Sequence, residues 1–443
     1  MANENRSESE NSSPNSASGQ SVMTPRQRLR ATLNHQEPDR LCVDFGAGFQ
    51  TGMGAGAVYR LSEALLGRSE RPVKVSEPYQ MLGEIDEQLR EALHLDVVGV
   101  HGPGTMFGFR NDEPFKPFKM MDGTPIFVPE GFQINTTDDG GWLIYPEGDM
   151  TGPPRGRMPA GGYFFDAIVE PLPVDDDRLD PADNCEEFGP LCEQDVRFFV
   201  DRARHYAKKT DYGVYLTIPG CAFGDIALVP ATWMKQPRGI RDVEEWYIST
   251  ITRPDYIRAV FDRQLEYALQ IVDDLAAALG DMVDVAFVSG TDFGAQHGLF
   301  ISADSYRSLF KPYHEAVNKR IHELTNWKTF IHSCGAVADL IAEFIDAGFD
   351  VLNPVQCSAC GMDAKTLKRE FGGDIVFWGG GVDTQKTLPF GTPDEVYRES
   401  RERIDIFAPG GGFVFNSIHN VQSNVPTPNL LAMFRAVNDA RVL

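Results

Sequence analysis

The sequence has no long apolar run and no surplus of basic residues. No stretch approaches the roughly 18 apolar residues of a membrane-spanning helix, so we expect no membrane partner. Its 41 lysine and arginine residues are outnumbered by 64 aspartate and glutamate residues, which gives a formal net charge of -23. A surface of that sign repels phosphate backbones, so we expect no nucleic-acid partner.

The first 24 residues lack the basic start and apolar core of a signal peptide. They are rich in Ser, Asn and Glu and cannot bury enough apolar surface to fold, so we predict a disordered tail over residues 1–24. Cysteine is sparse, at 7 residues, and odd in number. Without a signal peptide, that pattern is typical of reduced thiols in a cytoplasmic protein.

Three common catalytic signatures are also missing. The sequence contains no serine nucleophile elbow, no P-loop and no H-E-x-x-H pair. Short runs of β-branched and aromatic residues are present instead, and they alternate with helical segments from Leu41 onward. About eight such runs predict a protein of the α/β class, a (β/α)8 TIM barrel spanning residues 25–443.

Residues 115–165 depart from that alternation. The turn sequences Asp122-Gly and Asp138-Asp-Gly-Gly separate short apolar runs such as Trp142-Leu-Ile-Tyr145. Glycine after aspartate favours tight hairpin turns between antiparallel strands. The pattern therefore predicts an antiparallel β insertion, at about residues 115–165, within the barrel.

His332 and Cys334 follow one predicted strand, and their spacing of two directs both side chains to the same side. Imidazole and thiolate together suit zinc. A third ligand must come from elsewhere: Cys357 follows the next strand, and His419 follows the last one, which barrel closure brings back toward the first. The alternative is a hydrogen-bonded histidine beside a small buried thiol.

Acids and glycines also follow the strands. Asp292 lies in a glycine-rich loop, where it could position a substrate or transfer a proton, or simply form a turn or helix cap. Asp383 allows the same two interpretations. It follows three successive glycines, which indicate that a ligand or another backbone approaches closely, so Gly380 and Gly381 are candidate substrate-binding residues.

Several segments carry a family resemblance, which covers the chain from about Thr24 to the C-terminus. They are Asp292-Phe-Gly-Ala-Gln296, His332-Ser-Cys-Gly335, Asn353-Pro-Val-Gln356, Trp378-Gly-Gly-Gly-Val-Asp383 and Pro426-Thr-Pro-Asn429. With these segments the sequence resembles the uroporphyrinogen decarboxylase superfamily, whose fold is a (β/α)8 barrel. The resemblance implies Asp292, Gln296 and Asp383 as catalytic candidates. It implies Gln356 and Asn416, with the two glycines, as substrate-binding candidates.

The superfamily holds two chemistries. True uroporphyrinogen decarboxylases hold substrate carboxylates with an Arg-Gln-Ala-Gly-Arg-type segment near the N-terminus, and this chain has Asp44-Phe-Gly-Ala-Gly-Phe-Gln50 instead. Corrinoid-dependent methyltransferases bind zinc through a His-x-Cys pair and a late cysteine. His332 and Cys334 match the pair, His419 holds the late position, and Cys357 is the other candidate for the missing thiol.

The resemblance thus implies zinc-assisted methyl transfer between a small methylated substrate or thiol and a corrinoid protein. The expected cofactors are zinc and a corrinoid carried by that partner, and a homodimer is a further expectation. Decarboxylation of a tetrapyrrole or another carboxylic acid is the alternative enzymatic function. A non-catalytic protein that binds a small molecule is the third hypothesis, because this fold hosts many functions.

Overall fold

A computed structural model describes residues 22–67, 71–169 and 173–440. The tail predicted over residues 1–24 falls mostly outside the described residues. Thr24 belongs to the folded part, since its side chain accepts a hydrogen bond from the Gln27 N–H and the Gln27 side chain accepts one from the Thr24 N–H. This reciprocal capping box, with Pro25 at the first helical position, begins the first helix.

The strands of the described chain are short. They are β1 (Cys42–Val43), β2 (Val73–Glu77), β3 (Leu82–Gly83), β4 (Val97–Val100), β5 (Phe115–Lys119), β6 (Pro125–Pro129), β7 (Ile134–Thr136), β8 (Trp142–Ile144), β9 (Gly156–Met158), β10 (Asp166–Ala167), β11 (Gly213–Thr217), β12 (Val285–Ser289), β13 (Lys328–His332), β14 (Val351–Asn353), β15 (Val376–Trp378) and β16 (Phe413–Phe415).

The helices of the described chain mostly lie between the barrel strands. They are α1 (Pro25–Leu33), α2 (Ala55–Leu66), α3 (Glu87–Leu93), α4 (Glu193–Lys209), α5 (Val243–Thr252), α6 (Pro254–Leu279), α7 (Ala303–Leu309), α8 (Lys311–Leu324), α9 (Ile341–Asp346), α10 (Ala364–Phe371), α11 (Thr387–Phe390), α12 (Pro393–Phe407) and α13 (Thr427–Asp439). Within the described ranges, none of them is long and apolar enough to cross a membrane.

The predicted barrel is confirmed. Eight parallel strands pair in the order β1-β16-β15-β14-β13-β12-β11-β4 and nearly close on themselves. They are buried on both faces, so each appears in the sequence as a compact apolar run. Tyr215, Phe330 and Trp378 fill the centre, with the Phe330 ring 5.3 Å from Tyr215 and 5.4 Å from Trp378, both edge to face. The barrel interior is therefore packed, and ligand access is left to its rim.

A single carboxylate bridges the seam between β4 and β1. The Asp96 N–H donates to the Val43 carbonyl at 2.8 Å, and the Asp96 carboxylate accepts from the Val43 N–H at 2.9 Å. Arg28 and Arg40 approach the same carboxylate to 2.5 Å and 2.7 Å. Asp96 is fully buried. Closure of the barrel thus depends on one carboxylate shared by a strand and two guanidinium groups.

The antiparallel β insertion is also confirmed. Strands β7 to β10 form an antiparallel sheet, and β5 pairs antiparallel with β6. The second sheet has a feature that the hairpin pattern did not indicate: β6 pairs in parallel with β2, which precedes β4 in the chain. Turn residues identify local hairpins, but a parallel partner far away in sequence leaves no local signature.

The contacts of Asp96 at the seam predict that its loss destabilises the fold. Replacing Asp96 with alanine leaves the buried Arg28 guanidinium without one of its two carboxylates and removes the side-chain acceptor of the Val43 N–H, while the backbone bond from residue 96 to the Val43 carbonyl stays. We expect a loss of about 3–5 kcal/mol in the free energy of unfolding, measured by urea denaturation. Asp304→Ala is the control, because that carboxylate is 91% exposed beside Arg307 and should change stability by less than about 1 kcal/mol. Equal effects of the two variants would contradict the role of the seam.

Candidate metal centre

Three potential metal ligands meet at the carboxyl end of the barrel. His332 is the last residue of β13, Cys334 follows two residues later, and His419 lies in the loop after β16. One nitrogen of each imidazole and the thiol sulfur all lie within 4.8 Å of one another. The Cys334 Sγ is 3.3 Å from the His332 Nε2, and the two imidazole rings are 5.4 Å apart. The predicted pair and its predicted late partner therefore share one site.

Asn353 orients His332. It pairs with His332 across the β13–β14 ladder, and its Oδ1 lies 2.6 Å from the His332 Nδ1. The Asn353 amide is itself oriented, because its Nδ2 donates to the Trp378 carbonyl at 2.8 Å. The Oδ1 must then accept the Nδ1 proton, which leaves the Nε2 lone pair free toward Cys334. This tautomer is the one that a metal ion needs.

Burial sets the charge state of the three ligands. It lowers the pKa of His332 to about 4, against a smaller opposite effect of the bond to Asn353. Burial also lowers the pKa of His419 to about 4, helped by the neighbouring His332. Both rings are therefore neutral near pH 7, the form that binds metals. Burial and the Asp292 carboxylate raise the pKa of the Cys334 thiol, so a bound cation is needed to hold it as a thiolate.

The donor set fits zinc. Zn–S bonds of about 2.3 Å and Zn–N bonds of about 2.0–2.1 Å in a tetrahedron separate sulfur from nitrogen by roughly 3.5 Å, close to the 3.3 Å between Cys334 and His332. Two imidazoles and one thiolate also match zinc's preference for nitrogen and sulfur ligands. Three protein ligands leave a fourth position free, which is typical of catalytic zinc sites and not of structural ones.

Asp292 holds the loop that carries the thiol. Its Oδ1 accepts the Cys334 N–H at 2.6 Å and lies 3.9 Å from the His332 Nε2. Burial raises the pKa of Asp292, while the bond from Cys334 and the nearby His419 oppose that shift. Tyr247 donates its hydroxyl to the Asp292 carbonyl. The acid predicted from the glycine-rich loop is thus placed beside the three ligands.

Two glycines allow the Asp292 loop and the Cys334 loop to touch. A side-chain carbon on Gly335, whose φ is +89°, would lie 2.3 Å from the Gly294 carbonyl oxygen. Gln356 accepts the Gly335 N–H at 2.8 Å and donates to the Gln296 side chain at 3.1 Å. Gln356 therefore links the Cys334 loop to the Asp292 loop through Gln296.

The other predicted site residues have structural partners. Asp383 accepts the Gln385 N–H at 2.7 Å, which is the turn-forming role considered above. Its backbone N–H donates to Glu399.

The predicted glycines and Asn416 lie against neighbouring backbone. A side-chain carbon would lie 2.7 Å from the Val355 carbonyl at Gly380 and 2.4 Å from the Phe415 ring at Gly381, so protein atoms explain both glycines. Asn416 is fully buried and donates to the Asp44 carbonyl.

Cys357 lies apart from the metal group. Burial raises the pKa of its thiol to about 11, and the charges that act on it next are those of Arg403 and Glu399. In the described part of the chain it is not among the ligand atoms that converge. Of the two residues that the sequence left open for the third position, His419 is the one that the structure brings close to His332 and Cys334.

Asp225 is a candidate that the sequence analysis missed. It lies in the loop after β11, and burial together with the Asp292 charge raises its pKa to about 7. Its Oδ1 accepts the Ala227 N–H at 2.9 Å. The available signal was the one used for Asp292, an acid close to glycine after a barrel strand, here in Phe223-Gly-Asp225.

Fold and site define a (β/α)8 protein with a candidate metal centre at the barrel rim. The family model described as uroporphyrinogen decarboxylase (URO-D) matches residues 188–440. This match covers more than half of the chain, and the protein belongs to that family. No curated protein matches the sequence.

Two solved structures are similar to the chain at low sequence identity. A methyltransferase from Methanosarcina mazei is 16% identical, with 94% of this chain and 98% of that chain covered and a TM-score of 0.51. A hyperthermophilic β-glucosidase from Pyrococcus furiosus is 11% identical, with 90% and 95% covered and a TM-score of 0.35. The first likeness supports the barrel fold alone, and the second is too weak to carry an argument.

Metal content distinguishes the two candidate cysteines. We expect about one zinc per chain in the wild-type protein by elemental mass spectrometry, because the three ligands are already placed. His332→Ala, Cys334→Ser and His419→Ala should lose it. Cys357→Ser is the matched control and should keep it. Retention of zinc in Cys334→Ser, or its loss in Cys357→Ser, would refute this ligand set.

The orienting role of Asn353 has its own test. Asn353→Ala removes the acceptor that fixes the His332 tautomer, so zinc affinity should fall about 10–100-fold in a chelator competition assay. Asn318→Ala is the control, since that asparagine is equally buried but donates to the Ala347 carbonyl, away from the metal group. The same loss of affinity in both variants would indicate general destabilisation instead.

Proposed function

We propose that this protein catalyses zinc-assisted methyl transfer between a small methylated substrate or thiol and a corrinoid carried by a partner protein. The convergence of His332, Cys334 and His419 at the barrel rim carries this proposal. Membership of the family and the shared fold of a methyltransferase support it. The open fourth position suits a site that binds substrate.

The site residues have two roles in this proposal: some would bind the zinc ion, and others orient those ligands. His332, Cys334 and His419 would hold zinc, which when bound supplies Lewis acidity toward a substrate oxygen or sulfur. Asn353 keeps the His332 Nε2 unprotonated, and Asp292 fixes Cys334 through its backbone N–H. Preorganised ligands need no rearrangement when substrate arrives.

Asp225 supplies proton chemistry in this proposal. Its pKa near 7 lets the carboxyl group gain or lose a proton at neutral pH. The heteroatom that gives up its methyl group must take up one proton, and a heteroatom that accepts a methyl group must lose one. Asp225 is the acid whose pKa matches that task, and its charge acts on Cys334 as the Asp292 charge acts on Asp225.

An apolar surface beside the barrel rim is a candidate binding surface for a partner protein. Phe300 is 49% exposed and packs on Tyr247, the residue that donates to the Asp292 carbonyl. Ile248 and Ile251, on the same helix α5, are 43% and 71% exposed. Phe300 also donates its backbone N–H to the Phe293 carbonyl in the Asp292 loop, so the exposed apolar side chains include one in contact with that loop, and we assign this surface to the corrinoid protein.

A second candidate function is metal-independent decarboxylation of a carboxylic acid. The specific observation in its favour is the pair Asp225 and Asp292, two buried carboxyl groups with raised pKa values. Such groups can protonate the carbon that loses carbon dioxide. Against it stands the Asp44–Gln50 segment, which replaces the arginines expected for carboxylate binding.

Turnover distinguishes the two functions. We expect the zinc-loaded protein to move a methyl group from a panel of methylated amines, thiols and alcohols to reduced cobalamin, followed by the absorbance of the corrinoid. Cys334→Ala should reduce the rate to background because a zinc ligand is lost, and Cys357→Ser should leave it unchanged. Carbon dioxide release from porphyrinogens that survives in Cys334→Ala and is lost in Asp225→Asn would instead establish decarboxylation.

A further inference from the structure

His419 is the metal ligand that the protein holds least directly. Asn353 bonds to the His332 ring, and the Asp292 carboxylate fixes the backbone of Cys334. The His419 imidazole makes no hydrogen bond with another residue of the described ranges, and the His332 ring packs against it at 5.4 Å. The distance of this imidazole from the other two ligands therefore depends on the path of its own loop.

The loop that carries His419 lies beside the loop that follows β1. The two strands that lead into these loops, β16 and β1, are paired in parallel. Beyond the strand ends, the Val421 N–H donates to the Gly52 carbonyl at 3.0 Å, and the Gly54 N–H donates to the Val421 carbonyl at 2.7 Å. The loop after β1 thus supports the loop of the third ligand.

Asn420 joins the two loops at the residue next to His419. Only 1% of Asn420 is exposed. Its Oδ1 accepts the Gly52 N–H at 2.6 Å, and its Nδ2 donates to the Phe49 carbonyl at 2.7 Å and to the Gln80 Oε1 at 2.5 Å. One buried amide therefore bonds to the loop after β1 and to the turn between β2 and β3. Losing hydrogen bonds from a buried amide is costly, so these contacts restrain the loop strongly.

We propose that Asn420 is the positioning residue of the third metal ligand, because its three hydrogen bonds set the place of the His419 backbone relative to His332 and Cys334. Neighbouring Cα atoms are about 3.8 Å apart across a rigid peptide bond, so a displacement of Asn420 carries His419 with it. Metal–ligand distances tolerate a change of only about 0.2 Å. This role rests on the metal centre that the proposed function uses.

Zinc binding by full-length Asn420→Ala tests this role. The variant loses all three hydrogen bonds, so we expect zinc affinity to fall about 10–100-fold in a chelator competition assay. X-ray absorption of the zinc-loaded variant should show one histidine nitrogen instead of two, with the Cys334 sulfur retained. A general loss of stability would not remove one ligand selectively.

Asn429→Ala is the matched control. Asn429 is 2% exposed and donates to the Leu388 and Gly391 carbonyls, at 2.8 Å each, near the start of α13. Its loss also removes buried hydrogen bonds, but those bonds hold neither loop of the metal centre. We therefore expect wild-type zinc affinity and two histidine nitrogens in this variant.

A milder pair of variants keeps the role testable where Asn420→Ala does not fold. Gln80→Ala removes one of the three partners of Asn420, and zinc affinity should fall about threefold or more, as expected for one hydrogen bond. Gln80→Glu keeps an acceptor oxygen for the Asn420 Nδ2 and should retain wild-type affinity.

Three outcomes would overturn the role of Asn420. They are wild-type zinc affinity with two histidine nitrogens in Asn420→Ala, equal losses of affinity in Asn420→Ala and Asn429→Ala, and equal affinities in Gln80→Ala and Gln80→Glu. All these readouts measure metal binding. Zinc-loaded wild-type protein that transfers no methyl group would therefore refute the proposed function and leave the role of Asn420 standing.

Discussion

The buried Asp96 carboxylate is the constraint on which the barrel depends. β1 and β4 share no ladder, so the carboxylate's bond from the Val43 N–H ties the two strands across the seam, and the same carboxylate is the common partner of Arg28 and Arg40. Burying a charge is costly unless it is paired and hydrogen-bonded, and here the carboxylate has three partners: the Val43 N–H, Arg28 and Arg40. The seam therefore joins β1 and β4, the two ends of the eight-stranded sheet.

That closure is what brings the candidate metal ligands together. His332 and His419 follow strands that are separated by two others, so they can meet only across the rim of a curved sheet. Local hydrogen bonds then refine the geometry: the Trp378 carbonyl orients Asn353, and Asn353 selects the tautomer of His332. Hydrogen bonds of this kind hold the ligand side chains in a metal-binding orientation before the metal binds.

Much of this could be predicted from the sequence because the signals are local. The eight barrel strands appear as apolar runs, and the spacing of His332 and Cys334 places them on one side of a strand. The choice between Cys357 and His419 could not be made, since it depends on the path of two loops in space. The orienting role of Asn353 and the carboxyl group of Asp225 were missed for the same reason. The pairing of β13 with β14 decides the role of Asn353, and burial decides the pKa of Asp225, although its place next to a glycine after a barrel strand was visible in the sequence.

The most direct test of the central claim is X-ray absorption spectroscopy at the zinc edge of the metal-loaded protein. Two imidazole nitrogens, one thiolate and an open position predict one sulfur at about 2.3 Å and two histidine nitrogens at about 2.0–2.1 Å, with one further light atom from solvent. A shell without sulfur would contradict the site built on Cys334. A shell with two sulfurs would mean that Cys357 replaces a histidine, and the geometry described for His419 would be refuted.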